Sequence, residues 1–297
     1  MAKFNEANYD AWRKPASEHE ESKLETARTL VRRAIQNNSS LANLDYEIFG
    51  QGSYANDTNV RLNSDIDLNM MYTGEAYFTL PSGKTKEDFN ITLSDILKFS
   101  DYKNLVEQAL VDAFGRGSVR REDKCIRILA AANRVECDVV PTFQYQRYDE
   151  DRSYVTGVKF FTDANQMVEG FPKQHTANAI TKNKATNRSF KRTVRIFKQL
   201  RYKMKDDGIV FPDSITSFLI ECLIWNVPNS VFTGSTTWSE IVRKAILHLY
   251  EQTKVKDTCK EWGEVSELLY LFHSGRRWTF EDVNGYMVTL WNYLELK

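Results

Sequence analysis

Two carboxylates and a glycine turn form the most informative motif of this chain. Asp65 and Asp67 lie two residues apart, and Gly52 and Ser53 precede them by a short segment. Residues i and i+2 of a strand point to the same face, so we expect both carboxylates to converge. Mg²⁺ is usually held by one or two carboxylates together with substrate phosphates, and glycine lets the backbone approach a phosphate. The motif predicts a Mg²⁺–nucleoside triphosphate site; the alternative is a solvated strand face.

A third carboxylate occurs in residues 134–141, whose β-branched content predicts a strand. Asp138 lies in this segment next to Val139 and Val140. An aspartate among apolar strand residues is costly unless it is paired or bound to a metal. Glu136 would point to the same face and is the competing candidate. We predict that Asp138 completes the metal site.

Apolar periodicity and turn residues predict the elements that must position these carboxylates. The first half should be rich in strands, with a helix over residues 101–114 that ends at Gly115. Its other predicted elements are a helix over 17–37, strands over 46–51, 65–72, 118–131 and 134–145, a polar loop over 73–95 and a charged loop over 147–157. The second half should be helical. Its predicted helices cover 187–205, 214–225, 238–250 and 264–273, and a fifth begins at 279.

This order of elements predicts an α+β fold in two lobes. Residues 1–165 would form a catalytic lobe with a mixed sheet, and residues 166–297 a helical C-terminal lobe. A cleft between two such lobes is a natural place for a ligand, and we expect the active site there.

Composition narrows the class of protein. The formal net charge is zero, which argues against a general nucleic-acid binder, because such proteins depend on many Lys and Arg contacts to phosphates. The four cysteines show no metal-binding spacing and are interpreted as buried reduced thiols of a cytoplasmic protein. No apolar run approaches the roughly 20 residues that span a bilayer, so we expect no membrane partner.

The predicted helix over 187–205 carries a basic stripe. Lys191, Arg195, Lys198 and Tyr202 fall at i, i+4, i+7 and i+11 and therefore share one face. Taken alone, a basic stripe on an amphipathic helix is usually its solvated face.

The motifs together resemble a known superfamily. The pattern GS-(x)11-DxD, followed about seventy residues later by a lone strand aspartate, resembles the polymerase-β-type nucleotidyltransferases. The longer run GSYANDTNVRLNSDIDLNMMY resembles, more narrowly, the CD-NTases, the bacterial relatives of cyclic GMP-AMP synthase. The segments EGFPKQH, NRSFKRTVRIFKQLR and SFLIECL also resemble that family, closest to its clade E. The resemblance covers about residues 10–227.

The resemblance implies a polymerase-β-like nucleotidyltransferase that joins NTPs into a cyclic oligonucleotide, with a cyclic dinucleotide expected. Such products are second messengers in anti-phage (CBASS) defence. Asp65, Asp67 and Asp138 would hold two Mg²⁺ or Mn²⁺ ions. The product would be read by a separate effector protein, and we expect a monomer that needs no nucleic-acid activator.

The resemblance also implies a set of nucleotide-binding residues: Gln51, Gly52, Ser53, Lys198, Ser217 and Phe218. Lys198 would reach the triphosphate, which reverses the solvated-face interpretation at this position. Ser217 would bond a phosphate, and Phe218, where relatives have Tyr, would stack on a base; core packing is the alternative for Phe218. Some clade members that use uridine have Asn where this chain has Gly170, which favours purine NTPs, ATP and GTP, here.

Two other functions remain open from the sequence. One is a template-independent nucleotidyltransferase that modifies RNA or protein. The other is a non-catalytic, nucleotide-binding regulator, against which the presence of all three carboxylates counts.

Overall fold

The structure is a computed structural model that describes residues 3–15, 20–60, 65–92, 97–132 and 134–296. Its strands are β1 Tyr46–Gln51, β2 Ile66–Thr79, β3 Val119–Arg121, β4 Ile126–Ile128, β5 Cys137–Tyr148, β6 Tyr154–Phe161 and β7 Met167–Gly170. Its α-helices are α1 Glu6–Trp12, α2 Glu20–Gln36, α3 Gly52–Ala55, α4 Phe99–Phe114, α5 Pro172–Ala185, α6 Ser189–Asp206, α7 Ser217–Trp225, α8 Asn229–Thr233, α9 Trp238–Gln252, α10 Lys256–Cys259 and α11 Phe280–Tyr293. Short 3₁₀ helices cover Glu87–Phe89 and Arg116–Ser118. Within these ranges, no helix is long and apolar enough to cross a membrane.

The chain forms two compact units, and each is assembled from separate segments. The helical unit comprises Met1–Ser17, Asn56–Leu62 and Gln174–Lys297. The sheet unit comprises Glu18–Ala55 and Asn63–Lys173. We expected one division at residues 165 and 166, whereas the chain passes between these units four times.

The sheet unit is built on a mixed sheet of seven strands. Five strands follow the order β1-β2-β5-β4-β3, while β6 pairs with β5 and β7 with β6. The β2–β5 pair is parallel and the other pairs are antiparallel. The predicted α+β fold with a mixed sheet is confirmed.

The two faces of β2 differ in character. Ile66, Leu68 and Met70 belong to a buried core that also contains apolar residues of α2 and α4. The alternate residues Asp67 and Asn69 point to the opposite face, because strand side chains alternate. Packing of the apolar face into this core therefore fixes the register that presents Asp67 and Asn69 on the polar face.

The helical unit has its own core, formed mainly by α6, α7, α9 and α11. Tyr9 of α1 is buried in this core, so the N-terminal helix, which the sequence analysis did not predict, belongs to this unit. Helix α11 begins with a capping box in which Asp282 takes the usual place of Glu or Gln.

Several predicted elements are wrong or shifted. Strand β2 continues to Thr79 into the predicted polar loop, of which residues 93–95 lie outside the described part. Strand β6 occupies part of the predicted charged loop. The helix expected over 264–273 is absent from this fully described segment. Glu267 there has φ 59°, outside the helical region, and a β-bridge joins Gly263 to Tyr270. The predicted start of the first helix at residue 17 lies outside the described residues.

Candidate active site

One row of residues across four neighbouring strands forms the centre of the candidate site. Gln51 of β1 pairs with Asp67 of β2, and Asp67 pairs with Asp138 of β5. Asp138 in turn pairs with Arg127 of β4. Asp65 directly precedes β2, two residues before Asp67. The register of the sheet thus places Asp138 beside Asp67, whereas Glu136 lies two residues before Asp138 and outside β5.

Gly52 makes room for the Asp67 carboxylate. It follows β1 directly and has φ +69°, a conformation that favours glycine. A Cβ atom added there would lie 2.2 Å from Oδ2 of Asp67. Ser53 is the next residue, in the first turn of the four-residue helix α3. The Gly-Ser turn and the carboxylate pair of the sequence motif are therefore neighbours in the sheet unit.

The three carboxylates influence one another electrostatically. Burial, followed by the negative charges of Asp138 and Asp65, raises the pKa of Asp67 to about 7, although Arg127 opposes this. Burial and the charge of Asp138 also raise the pKa of Asp65. Crowded carboxylates of this kind bind protons or cations more readily than isolated ones.

Arg127 supplies positive charge to this row. Its Nε atom donates to Oδ1 of Asp138 at 2.9 Å, and its second terminal nitrogen donates to Oδ2 at 3.2 Å. Glu136 is more distant, with Oε1 3.6 Å from the Arg127 Nε atom. Arg127 is not among the predicted site residues. The sequence signal for it is the alternation of Ile126, Arg127 and Ile128, which is typical of a strand with one apolar face.

Polar side chains on the same strands form a hydrogen-bonded chain. Asn69 donates through Nδ2 to Oε1 of Gln51 at 3.1 Å, and Thr142 donates to Oδ1 of Asn69 at 2.7 Å. Asn69 and Thr142 are fully buried. Gln51, expected to contact nucleotide, therefore has its carbonyl oxygen engaged by a neighbouring strand. Asn69 and Thr142 were not predicted, because a buried amide in a strand is not distinguishable from an exposed one by sequence.

The donor set suits Mg²⁺, which prefers carboxylate oxygens. Within the described residues, no group of three or more His, Cys, Asp or Glu side chains is arranged as a metal cluster. Both oxygens of Asp138 accept hydrogen bonds from Arg127. Asp65, Asp67 and Asp138 match this donor type, and the strand register places Asp67 and Asp138 side by side.

The predicted basic stripe lies in the helical unit, and its solvated-face interpretation is wrong. Lys191, Arg195 and Lys198 of α6 are all buried, the last with 3% of its surface exposed. Arg195 donates to the backbone oxygens of Arg13 and Asp57. Burying charged side chains requires partners, and Lys198 has them in the hydroxyl of Thr58 and a buried carboxylate.

The remaining predicted residues divide between the two units. Ser217 begins α7, and Phe218 follows with 38% of its surface exposed, so the ring is not fully packed in the core. Gly170 ends β7 in the sheet unit, and a Cβ atom added there would meet nothing within 4 Å. Asp65, Asp67, Asp138, Gln51, Gly52 and Ser53 share the sheet unit with Gly170, while Lys198 lies with Ser217 and Phe218.

Comparison with known proteins identifies the family. Residues 177–295 match the cGAS/DncV-like nucleotidyltransferase C-terminal helical domain. The chain is 54% identical, over 99% of its length and all of the relative, to the cyclic dipyrimidine nucleotide synthase CdnE of Cecembia lonarensis. The chain belongs to the CdnE cyclic nucleotide synthases of the cGAS/DncV-like nucleotidyltransferase family.

Other family members agree on the fold and differ in their named bases. The cyclic dipurine nucleotide synthase of Elizabethkingia meningoseptica is 36% identical, over 98% of each chain. A solved structure of the E. meningoseptica CdnE cyclic dinucleotide synthase with GTP and Apcpp matches at a TM-score of 0.82 with 34% identity, over 98% of this chain and 99% of that one. The family assignment of the sequence analysis is thereby confirmed, and the chain is an enzyme of the nucleotidyltransferase class.

Proposed function

We propose that this chain joins two NTPs into a cyclic dinucleotide in a metal-dependent reaction. The observation that carries the proposal is the placement of Asp67 and Asp138 on adjacent parallel strands, beside Gly52, in a chain with full-length similarity to CdnE synthases. Two-ion sites of this kind stabilise the attacking and leaving oxygens of phosphoryl transfer.

The carboxylates would hold the ions. Asp65 and Asp67 would bind both Mg²⁺ or Mn²⁺ ions, and Asp138 would complete one of them. Bound metal stabilises negative charge on phosphoryl oxygens and lowers the pKa of a hydroxyl. Arg127 would release Asp138 for this role while keeping positive charge in the row.

The remaining residues would hold the nucleotide. Gly52 and Ser53 would contact phosphate, Lys198 would neutralise the triphosphate, Ser217 would bond a phosphate, and Phe218 would stack on a base. In each transfer, a ribose hydroxyl oxygen bonds to the α-phosphorus as the bond to pyrophosphate breaks. A second transfer closes the ring.

Two observations bear on the bases, and they point in opposite directions. Gly170 lacks the amide associated with uridine use, which favours purines. The relative with 54% identity is named for cyclic dipyrimidines, while the 36% identical one is named for cyclic dipurines. We propose pyrimidine NTPs, because similarity over a whole chain reflects many contacts, and a neighbouring group can replace one missing side chain.

The test combines product analysis with competition. The protein is incubated with equimolar NTPs and Mg²⁺, each NTP labelled in turn at the α-phosphate, and phosphatase-resistant products are identified by mass. We expect a cyclic dinucleotide labelled mainly from UTP or CTP, and none from a variant with Asp65→Asn and Asp67→Asn. Dominant ATP or GTP label would support the purine prediction instead, whereas a linear polymer or labelled macromolecule would refute the cyclic product.

The wider role forms part of the same proposal. The protein would act as a cytoplasmic monomer, where its NTP substrates are available. Its product would be read by a separate effector protein in anti-phage defence.

A further inference from the structure

A buried network of polar groups surrounds Lys198 in the helical unit. Lys198 donates through Nζ to Oε2 of Glu221 at 3.0 Å and to the hydroxyl of Thr58 at 2.9 Å. Thr58 donates in turn to the same carboxylate oxygen at 2.9 Å. The other oxygen, Oε1, lies 3.0 Å from Nε2 of His175. Glu221 is therefore the one group that contacts all the other members.

Glu221 is a charged group in a fully buried position. Burial raises its pKa, but the charge of Lys198 and the hydrogen bond from His175 outweigh this and hold the pKa well below its usual value. Apolar residues of similar volume often stabilise a protein as well as a buried ion pair does. The network is therefore better explained by the need to place these groups than by stability.

Lys198 retains a hydrogen-bond donor for a ligand. An ammonium has three N–H groups, and Glu221 and Thr58 accept two of them, with no third acceptor among the described residues. In the proposed function, a phosphate oxygen would accept the third N–H while the internal pair remains. A side chain that is already fixed loses less conformational freedom when it binds a ligand.

The network has two arms that meet at Glu221: the first is Lys198 with Thr58, and the second is His175. The second arm leads to an aromatic surface. The His175 ring lies against Phe218, with centroids 5.9 Å apart and an interplanar angle of 34°. Phe218 also contacts Trp278 at 6.1 Å, and it is partly exposed. Phe218 and Glu221 lie three residues apart on α7, so that they are neighbours along the helix.

We propose that Glu221 is the positioning residue of the nucleotide-binding groups in the helical unit. It fixes Lys198 for the phosphate chain and, through His175, supports Phe218 for the base. This inference rests on the proposed function. It predicts that the two arms can be separated, because one acts on phosphate and the other on the base.

The test measures binding rather than turnover. Inorganic tripolyphosphate and the α,β-methylene analogues of UTP and ATP are titrated calorimetrically at fixed free Mg²⁺. Glu221→Gln keeps the shape of the side chain and removes its charge. We expect it to raise the Kd of tripolyphosphate and of the better-bound nucleotide analogue by about tenfold or more. Hydrogen bonds to charged groups are among the strongest, so their loss should be measurable. His175→Asn retains an N–H donor but lacks the ring. It should raise the Kd of the nucleotide analogue and leave the Kd of tripolyphosphate unchanged.

Two further variants keep the test decisive. Thr58→Val removes a partner of Lys198 without removing charge, and should weaken both ligand types even if Glu221→Gln does not fold. Glu251→Gln, which breaks an exposed pair with Lys254 in the same unit, is the matched control and should bind like wild type.

A merely structural role predicts lower thermal stability with unchanged affinities. Folded Glu221→Gln and Thr58→Val proteins with wild-type affinities would overturn the inference, as would equal weakening of both ligand types by His175→Asn. A wild-type protein that binds both ligands but forms no labelled product would refute the proposed function alone.

Discussion

Substitution of Gly52 by Ala tests whether the close approach of this residue to Asp67 matters for catalysis. The new methyl group would lie 2.2 Å from Oδ2 of Asp67, whereas ordinary contact begins at 3.4 Å. The carboxylate would therefore have to move by about 1 Å, and a displacement of that size from the reacting geometry can lower a rate by roughly 10²-fold. We expect kcat to fall by about that factor.

The effect of Gly52→Ala on stability should be small by comparison. A non-glycine residue at positive φ costs roughly 1–2 kcal/mol, and the carboxylate can rotate away from the methyl group. We therefore expect the Tm to fall by only a few degrees. Initial rates of pyrophosphate release with NTPs and Mg²⁺, together with thermal melts, measure the two effects separately.

Gly83→Ala is the matched control. Gly83 has φ +77°, but a Cβ atom there would meet nothing within 4 Å. It should show the same loss of stability with a wild-type rate. A wild-type rate in Gly52→Ala would refute the displacement argument, and an equal loss of rate in both variants would attribute the effect to backbone strain.

Two further predictions concern the carboxylates. Asp138→Asn should reduce product formation to background, whereas Glu136→Gln should retain most of it, because of these two carboxylates only Asp138 pairs with Asp67 across the strands. The opposite result in the same pyrophosphate assay would show that the third ligand is misassigned. The pKa of Asp67 is raised from an ordinary 3.8 to about 7 in the folded chain, so the unfolded chain loses this proton at a lower pH. The stability of the metal-free protein should therefore fall as the pH rises between these two values. Asp67→Asn removes this contribution, and its Tm relative to wild type should rise between pH 4 and 7; a constant difference across that range would show that the pKa is not raised.

The sequence determined the family and the principal carboxylates because their chemistry depends on residue type and local spacing. Asp65 and Asp67 are two residues apart on or beside one strand, and period-2 alternation makes them candidates without knowledge of the fold. Helix ends could also be predicted where a local signal exists. Gly115, for example, follows the last residue of α4 and has φ 81°, a conformation that favours glycine. The segment 264–273 shows the limit, since apolar spacing there suggested a helix that tertiary packing did not form.

Tertiary structure decided which distant residues became partners. The register of β4, β5 and β2 places Arg127 on Asp138 and Asp138 beside Asp67, and no local spacing encodes a pairing between strands. Burial likewise turned the basic stripe of α6 from an expected solvated face into paired internal charges such as Lys198 with Glu221. A sequence specifies which side chains can carry charge; only the folded chain fixes how far each lies from water and from its counter-charge, and these distances set its pKa and its availability to a ligand.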